Sequence, residues 1–189
     1  MNERVPTEAR VDGAVGVAEV GPTVLARGGL TRIDYVDHFA VGPVDGNAAS
    51  PEQWARAMFG DVASAGEWFI WRGLLQLRLS RGRSQSSVAG WRIDERGKDW
   101  IRLKTDSWAL SANLVVRATD TEVSLTTLIR YDRRLGISVF WRMLSAVHRR
   151  LAPGLLRDAV STVAETPVAD PTTSAGPSST PPAAAHRGS

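Results

Sequence analysis

The chain has 189 residues, no cysteine and seven tryptophans, and its 23 basic residues divide into 21 Arg and 2 Lys. That length suits one domain with tails, and 43% hydrophobic with 23% charged residues excludes both wholesale disorder and a membrane-embedded chain. Without cysteine there is no disulfide framework, thiolate zinc site, iron–sulfur cluster or thiol nucleophile. The net charge of +3 is spread thinly: residues 31–164 carry 19 basic and 14 acidic side chains, mostly as single arginines. Nucleic-acid binding calls for clustered cations with interleaved aromatics, so no nucleic-acid partner is expected. The opening Met1-Asn2-Glu3-Arg4-Val5-Pro6 has no apolar run behind a basic start. No stretch approaches the ~18 consecutive apolar residues of a membrane span, so a cytoplasmic protein without integral membrane association is expected. The excess of Arg over Lys, with abundant Ala, points to a GC-rich bacterial genome.

In chain order, residues 1–28 hold four acidic side chains and several glycines with little apolar periodicity, and read as a flexible N-terminal segment. Residues 31–41 alternate as a strand, with Ile33, Tyr35 and Phe39 on one parity and Asp34 and His38 on the other. Ser50-Pro51-Glu52-Gln53 is a helix start, with a capping Ser, a Pro at the first turn and Gln53 at the capping-box position. That helix, 51–59, ends at Gly60. A second helix is expected at about 66–79, with Trp71, Leu74, Leu75 and Arg78 on one face. The polar stretch 80–87 is a loop.

Four strand-like runs follow, at about 88–95, 98–105, 108–117 and 121–131. Each has one apolar parity, from Trp91 and Ile93 through Trp108, Leu110 and Leu114 to Leu125 and Ile129. The other parity carries Trp100, Arg102, Lys104, Asn113 and Arg130. This predicts an antiparallel meander with one dry and one wet face. The last element is a long helix from about Gly136, with Ile137, Phe140, Trp141, Leu144, Val147, His148 and Leu151 as its stripe. Pro153-Gly154 is expected to interrupt it, and 155–164 to resume it. From 165 to 189 the chain is rich in Pro, Ser, Thr and Ala and reads as a disordered tail. The expected folded unit is therefore 29–164, of the α+β class, with the striped helix covering the dry face of the sheet.

This order resembles the helix-grip fold of the START, polyketide-cyclase and Bet v 1 superfamily. More narrowly, the chain is similar to a bacterial family of unknown function within it. The matching residues are Asp34-Tyr35-x-Asp37-x-Phe39, Ser50-Pro51-Glu52-Gln53-Trp54, Leu125-Thr126-Thr127-x-x-Arg130, Arg134-Leu135-Gly136 and His148-Arg149 before Pro153. They span about 31–157. The resemblance implies a curved antiparallel sheet wrapped around a long C-terminal helix, with a cavity between them, and implies no reaction. Relatives occur fused behind NAD-binding dehydrogenase-like domains; this chain has no GxGxxG loop, and no cofactor is expected. One departure stands out. The third meander strand of the family opens Asp-x-His-Leu, and here it reads Asp106-Ser107-Trp108-Ala109.

The expected ligand is a hydrophobic or aromatic small molecule. Trp91, Trp108, Trp141 and His148 are placed around it, with Tyr35 and Arg78 as polar contacts. An enzyme of cyclase, dehydratase or isomerase type in the same cavity, with His148 or an Asp as acid/base, is a second reading. A solid core serving as a structural or partner-binding module is a third. Plainer roles stand beside these. His148 can be a satisfied core histidine. Arg78 can lay its stem on Trp71 with its head in water. Asp34 and Asp37 can pair with Arg130, Arg133 or Arg134. The Arg81-Gly82-Arg83 and Arg149-Arg150 runs can be solvated surface. No His pair has metal-ligand spacing and no Gly-x-Ser-x-Gly elbow occurs, so neither a metal site nor a hydrolase triad is expected.

Overall fold

The period-two runs form strands, and the strands assemble into a single antiparallel sheet. The computed structural model describes residues 10–42, 49–61, 77–80, 82, 84–132 and 137–165. Among them, β1 (Val11–Val15), β2 (Tyr35–Val41), β3 (Ser87–Val88), β4 (Trp91–Arg96), β5 (Trp100–Asp106), β6 (Leu110–Ala118) and β7 (Val123–Tyr131) lie in the order β1-β2-β7-β6-β5-β4-β3. The helices are α1 (Pro22–Arg27), α2 (Pro51–Phe59) and α3 (Ile137–Glu165). This is the expected α+β helix-grip arrangement: a meander with β2 closing against β7, and a long C-terminal helix lying on the sheet.

Local signals explain α2 closely. Ser50 Oγ accepts from Gln53 N (3.3 Å) and Gln53 Oε1 accepts from Ser50 N (2.7 Å), which satisfies two otherwise open N-terminal donors. The buried side chains of α2, among them Trp54, Met58 and Phe59, join the core of the sheet's front face. That core takes one parity from each strand, including Phe39, Trp91, Leu103, Leu114 and Leu125.

Four expectations need correction or qualification. The first concerns the back face. Residues 11–28, expected to stay outside the fold, contain β1 and α1, and β1 pairs with β2 from Val11↔Val41 to Val15↔Asp37. The segment was hard to read because β1 is a short, largely exposed edge strand and α1 has only 6 residues. It turns part of the supposed wet face into a second core, in which Val20, Val36, Val115 and Leu128 are buried against Val24, Leu25 and Leu30. Trp100 packs there too, which accounts for its position on the outer parity. Asn113 Nδ2 donates to Gly28 O (2.7 Å) and Arg102 Nη1 donates to Arg27 O (2.9 Å), fastening the segment to the sheet.

Second, α3 runs through Pro153 without a break. An interior proline costs about 3 kcal/mol, but Ala152, Leu156 and Ala159 on either side of it are fully buried, and this packing outweighs the lost hydrogen bond. Third, Trp141 of the expected stripe is buried and Leu144 packs partly against the core, but the buried face of α3 then continues through Ser145, Ala152, Leu156 and Ala159, while the side chains of Ile137 and Phe140 lie outside the described residues. Val147 and Leu151 lie on its flank and are 48% and 55% exposed. Fourth, residues 77–80 have no helical structure; Arg78 N donates to Asp106 O (2.9 Å) instead. The rest of the helix expected at 66–79, with Trp71, Leu74 and Leu75, lies outside the described residues, as do Arg81, Arg83 and the tail from 166 onward.

The docked N-terminal segment has a direct test at Gly28. Its backbone is right-handed helical (φ −64°, ψ −27°), so an undocked segment would accept Ala there with a gain of about 0.4–1 kcal/mol. In the structure, a Cβ at Gly28 would overlap Leu128 Cδ2. Gly28→Ala is therefore expected to destabilise by about 1–3 kcal/mol through overpacking, read as a lower urea midpoint. A neutral or higher midpoint would show the segment to be undocked.

Candidate functional site

Two helices cover different halves of the front face. Among the strands, α3 chiefly contacts β1, β2 and β7, and α2 chiefly β3, β5 and β6, while the two helices also contact each other. Between them the apolar surface of the sheet is not filled. A cavity of about 590 Å³ remains there. Its floor is Trp91, Leu110, Ala112, Leu114, Leu125, Thr127 and Ile129; Met58 and Phe59 close it from α2, with Leu77 beside them. The flank of α3 supplies Trp141, Leu144, Val147, His148, Leu151 and Leu155, with Arg150 and Asp158. Such a volume suits a small organic ligand.

Sheet register places a polar group at one end of this floor. Asp37 of β2 faces Thr127 of β7, which faces Leu114 of β6, which faces Leu103 of β5. The row thus runs from carboxylate and hydroxyl to hydrocarbon in four strands. Tyr35 precedes Asp37 by two residues and shares its face. Tyr35 Oη donates to Asp37 Oδ2 at 2.6 Å. His148 descends from α3 onto the same oxygen, with Nε2 at 3.2 Å from Asp37 Oδ2 and 3.1 Å from Thr127 Oγ1. Trp141, about two helical turns earlier on the same face, packs edge-on against Tyr35 (ring centroids 5.4 Å apart) and beside the imidazole (6.1 Å).

The electrostatics of this cluster follow from burial. Asp37 is 0% exposed, and a buried carboxylate is costly unless it is paired and hydrogen-bonded. Its Oδ2 receives both available partners, while Oδ1 has none among the described residues. Burial, and then the adjacent Asp37 charge and hydrogen bond, push the Tyr35 hydroxyl well above the usual phenol range, so it stays a donor. The indole N–H of the buried Trp141 also has no partner among the described residues. An unmet buried donor costs about 1–3 kcal/mol. The cavity wall therefore combines a large apolar area with the imidazole of His148, behind which stands the buried Asp37 carboxylate.

The expected site residues are divided by this geometry. Trp91, Trp141 and His148 line the cavity, and Tyr35 stands behind His148 through Asp37. Arg78 does not reach the cavity: its side chain is 77% exposed and pairs with Asp106 at 3.5 Å, because residues 77–80 are not helical. Trp108 is 58% exposed. The alternation of β6 begins only at Leu110, and Ser107 Oγ accepts from Ala109 N and Leu110 N (both 3.2 Å), so Trp108 belongs to a turn. Asp34 and Asp37 do not form one network with Arg130. Asp34 pairs with Arg32 (3.1 Å) and accepts from Tyr131 N (2.8 Å), and Arg130 pairs with Asp132 (2.8 Å). Arg133 and Arg134 lie outside the described residues.

The residue that sequence reasoning missed is Asp37 as the partner of His148. Its signal was present: position 37 shares the parity of Tyr35 and Phe39, which places a carboxylate on the dry face. Among the described residues, no group of three His, Asp or Glu side chains is arranged to hold a metal ion, and no helix is long and apolar enough to cross a membrane. Comparison with known proteins finds no match among protein families, curated proteins or solved structures.

On the back face His38 gives a pH-dependent term. It is half-buried with Nδ1 2.8 Å from Thr126 Oγ1, and burial holds its pKa below the usual 6.5. As pH falls, the unfolded chain takes up this proton first, so stability declines between about 6.5 and the lower folded pKa. Wild-type protein is expected to lose more stability than His38→Gln between about pH 7.5 and pH 5.5, read as the difference in urea midpoints. Equal losses in the two proteins would remove His38 from the acid response.

Proposed function

We infer that this chain is a member of the helix-grip superfamily and that it binds a hydrophobic or aromatic small molecule between the sheet and α3. The observation that carries this reading is the cavity of about 590 Å³, walled mainly by aliphatic and aromatic side chains. Binding sites for small apolar molecules have this character, a large apolar wall with few polar groups to orient the ligand. The topology and the motifs at Tyr35, Asp37, Thr127 and His148 support the superfamily assignment. A solid-core role is less well supported, because burial of Met58, Phe59, Leu114 and Leu125 still leaves room between them.

Native mass spectrometry of protein purified from its own host is expected to reveal a retained small molecule that is released on denaturation. In parallel, the neutral fluorophore N-phenyl-1-naphthylamine is expected to brighten on binding. Ala112 sits buried in the cavity floor, so Ala112→Phe fills the space with little change to the surface. Its affinity for the probe should fall by at least about tenfold, with circular dichroism unchanged. A folded Ala112→Phe variant that binds the probe as wild type does would place binding elsewhere and defeat this reading.

A further inference from the structure

The carboxylate–imidazole pair has more polarity than is needed to hold an apolar guest. Asp37 Oδ2 accepts from Tyr35 and faces His148 Nε2 at 3.2 Å, which favours the imidazole tautomer with its proton on Nε2. The other ring nitrogen, Nδ1, has no hydrogen bond among the described residues, and His148 lines the cavity. Carboxylate, oriented imidazole and free ring nitrogen make up a general base. The Trp141 ring lies on the same wall, with the two rings 6.1 Å apart and its indole N–H buried away from the cavity.

Resting on the binding reading above, we propose that the cavity is a proton-transfer site for an apolar β,γ-unsaturated carbonyl compound, whose acidic C–H lies between the carbonyl and the double bond. In the first step the C–H bond breaks and its proton goes to His148 Nδ1. The electron pair forms a carbon–carbon double bond, and the carbonyl becomes an enolate oxygen. In the second step Nδ1 returns the proton to another carbon of the same conjugated system and the carbonyl re-forms. The substrate is isomerised, His148 is regenerated, and no co-reactant is consumed. His148 is the catalytic residue; Asp37 is a positioning residue that sets the imidazole tautomer.

The probe is 5-nitrobenzisoxazole, a flat aromatic whose ring opens when a base takes its C–H proton. The freed pair completes a nitrile, the N–O bond breaks, and the coloured cyanonitrophenolate leaves. Binding is measured separately with the unreactive 5-nitrobenzotriazole, by quenching of tryptophan fluorescence. The expected result is saturable turnover faster than free imidazole at equal concentration. Both Asp37→Asn and His148→Gln should lower kcat by about 100-fold while KM holds within a few-fold. Since Asp37→Asn alters a fully buried group, His148→Gln provides the decisive variant if the former does not fold. Binding of the benzotriazole with turnover no better than imidazole, or with equal turnover in His148→Gln, overturns the proton-transfer proposal and leaves ligand binding standing. Absence of benzotriazole and N-phenyl-1-naphthylamine binding overturns both.

Discussion

The buried carboxylate of Asp37 is the constraint around which the front face is organised. A fully desolvated charge must be met within the protein, and among the described residues Oδ2 is met by a phenol from its own strand and an imidazole from α3. Removing one partner of a buried pair typically costs about 3–5 kcal/mol. The side chain of His148 is 24% exposed, so solvent screening reduces that figure here. Even discounted, the interaction fixes the rotation of α3. With His148 over β2 and β7, the helix buries Ala152, Leu156 and Ala159 and turns Val147 and Leu151 toward its flank.

The cavity follows from that rotation and from the division of the sheet between two helices. A sheet several strands wide is broader than one helix, and α3 is committed to the β1–β2–β7 side by its pairing with Asp37. The capping box directs α2 onto the β5–β6 side, where Trp54 and Phe59 are buried. The two helices touch, but beside their contact the floor on β6 and β7 includes the smaller Ala112 and Thr127 among Leu110, Leu114, Leu125 and Ile129. Neither helix fills the space above them. Trp91 and Trp141 line that space.

Much of the architecture was legible in the sequence, because local patterns control it. Period-two alternation located β4 to β7 and chose the correct dry face for Leu103, Leu110, Leu114, Leu125 and Ile129, though not for Trp108, which precedes β6. Ser50 and Gln53 marked the start of α2 at the right residue. What escaped reading depends on partners distant in the chain. An edge strand such as β1, pairing on one side only, has no need of a strong alternation, so the N-terminal segment looked featureless until β2 and Leu128 were set against it. Pro153 read as a helix break because the packing of Ala152 and Leu156 is a tertiary effect. Of the candidate site, Trp91, Trp141 and His148 were visible from their faces; the parity of Asp37 placed it on the dry face, but its pairing with His148 across 111 residues leaves no local signature.

The second core on the back face bears on why the front can remain partly open. An isolated open sheet covered on one side must draw its stability from that side, which favours solid packing. Here Val36, Val115 and Leu128 are buried on the reverse, and the segment above them is fixed by hydrogen bonds from Asn113 and Arg102. That burial stabilises the same strands that floor the cavity, so apolar volume on the front can be left unfilled and polar atoms left unmet. Among the described residues, unmet polar atoms also occur at Ser87 Oγ on β3 and Asn113 Oδ1 on the back face, but Asp37 Oδ1 and the Trp141 indole N–H belong to one cluster, which joins α3 to β2 at the polar end of the cavity. Proteins depart from full packing and full hydrogen bonding chiefly where function demands it, and at this cluster both departures meet the carboxylate that pairs with the helix.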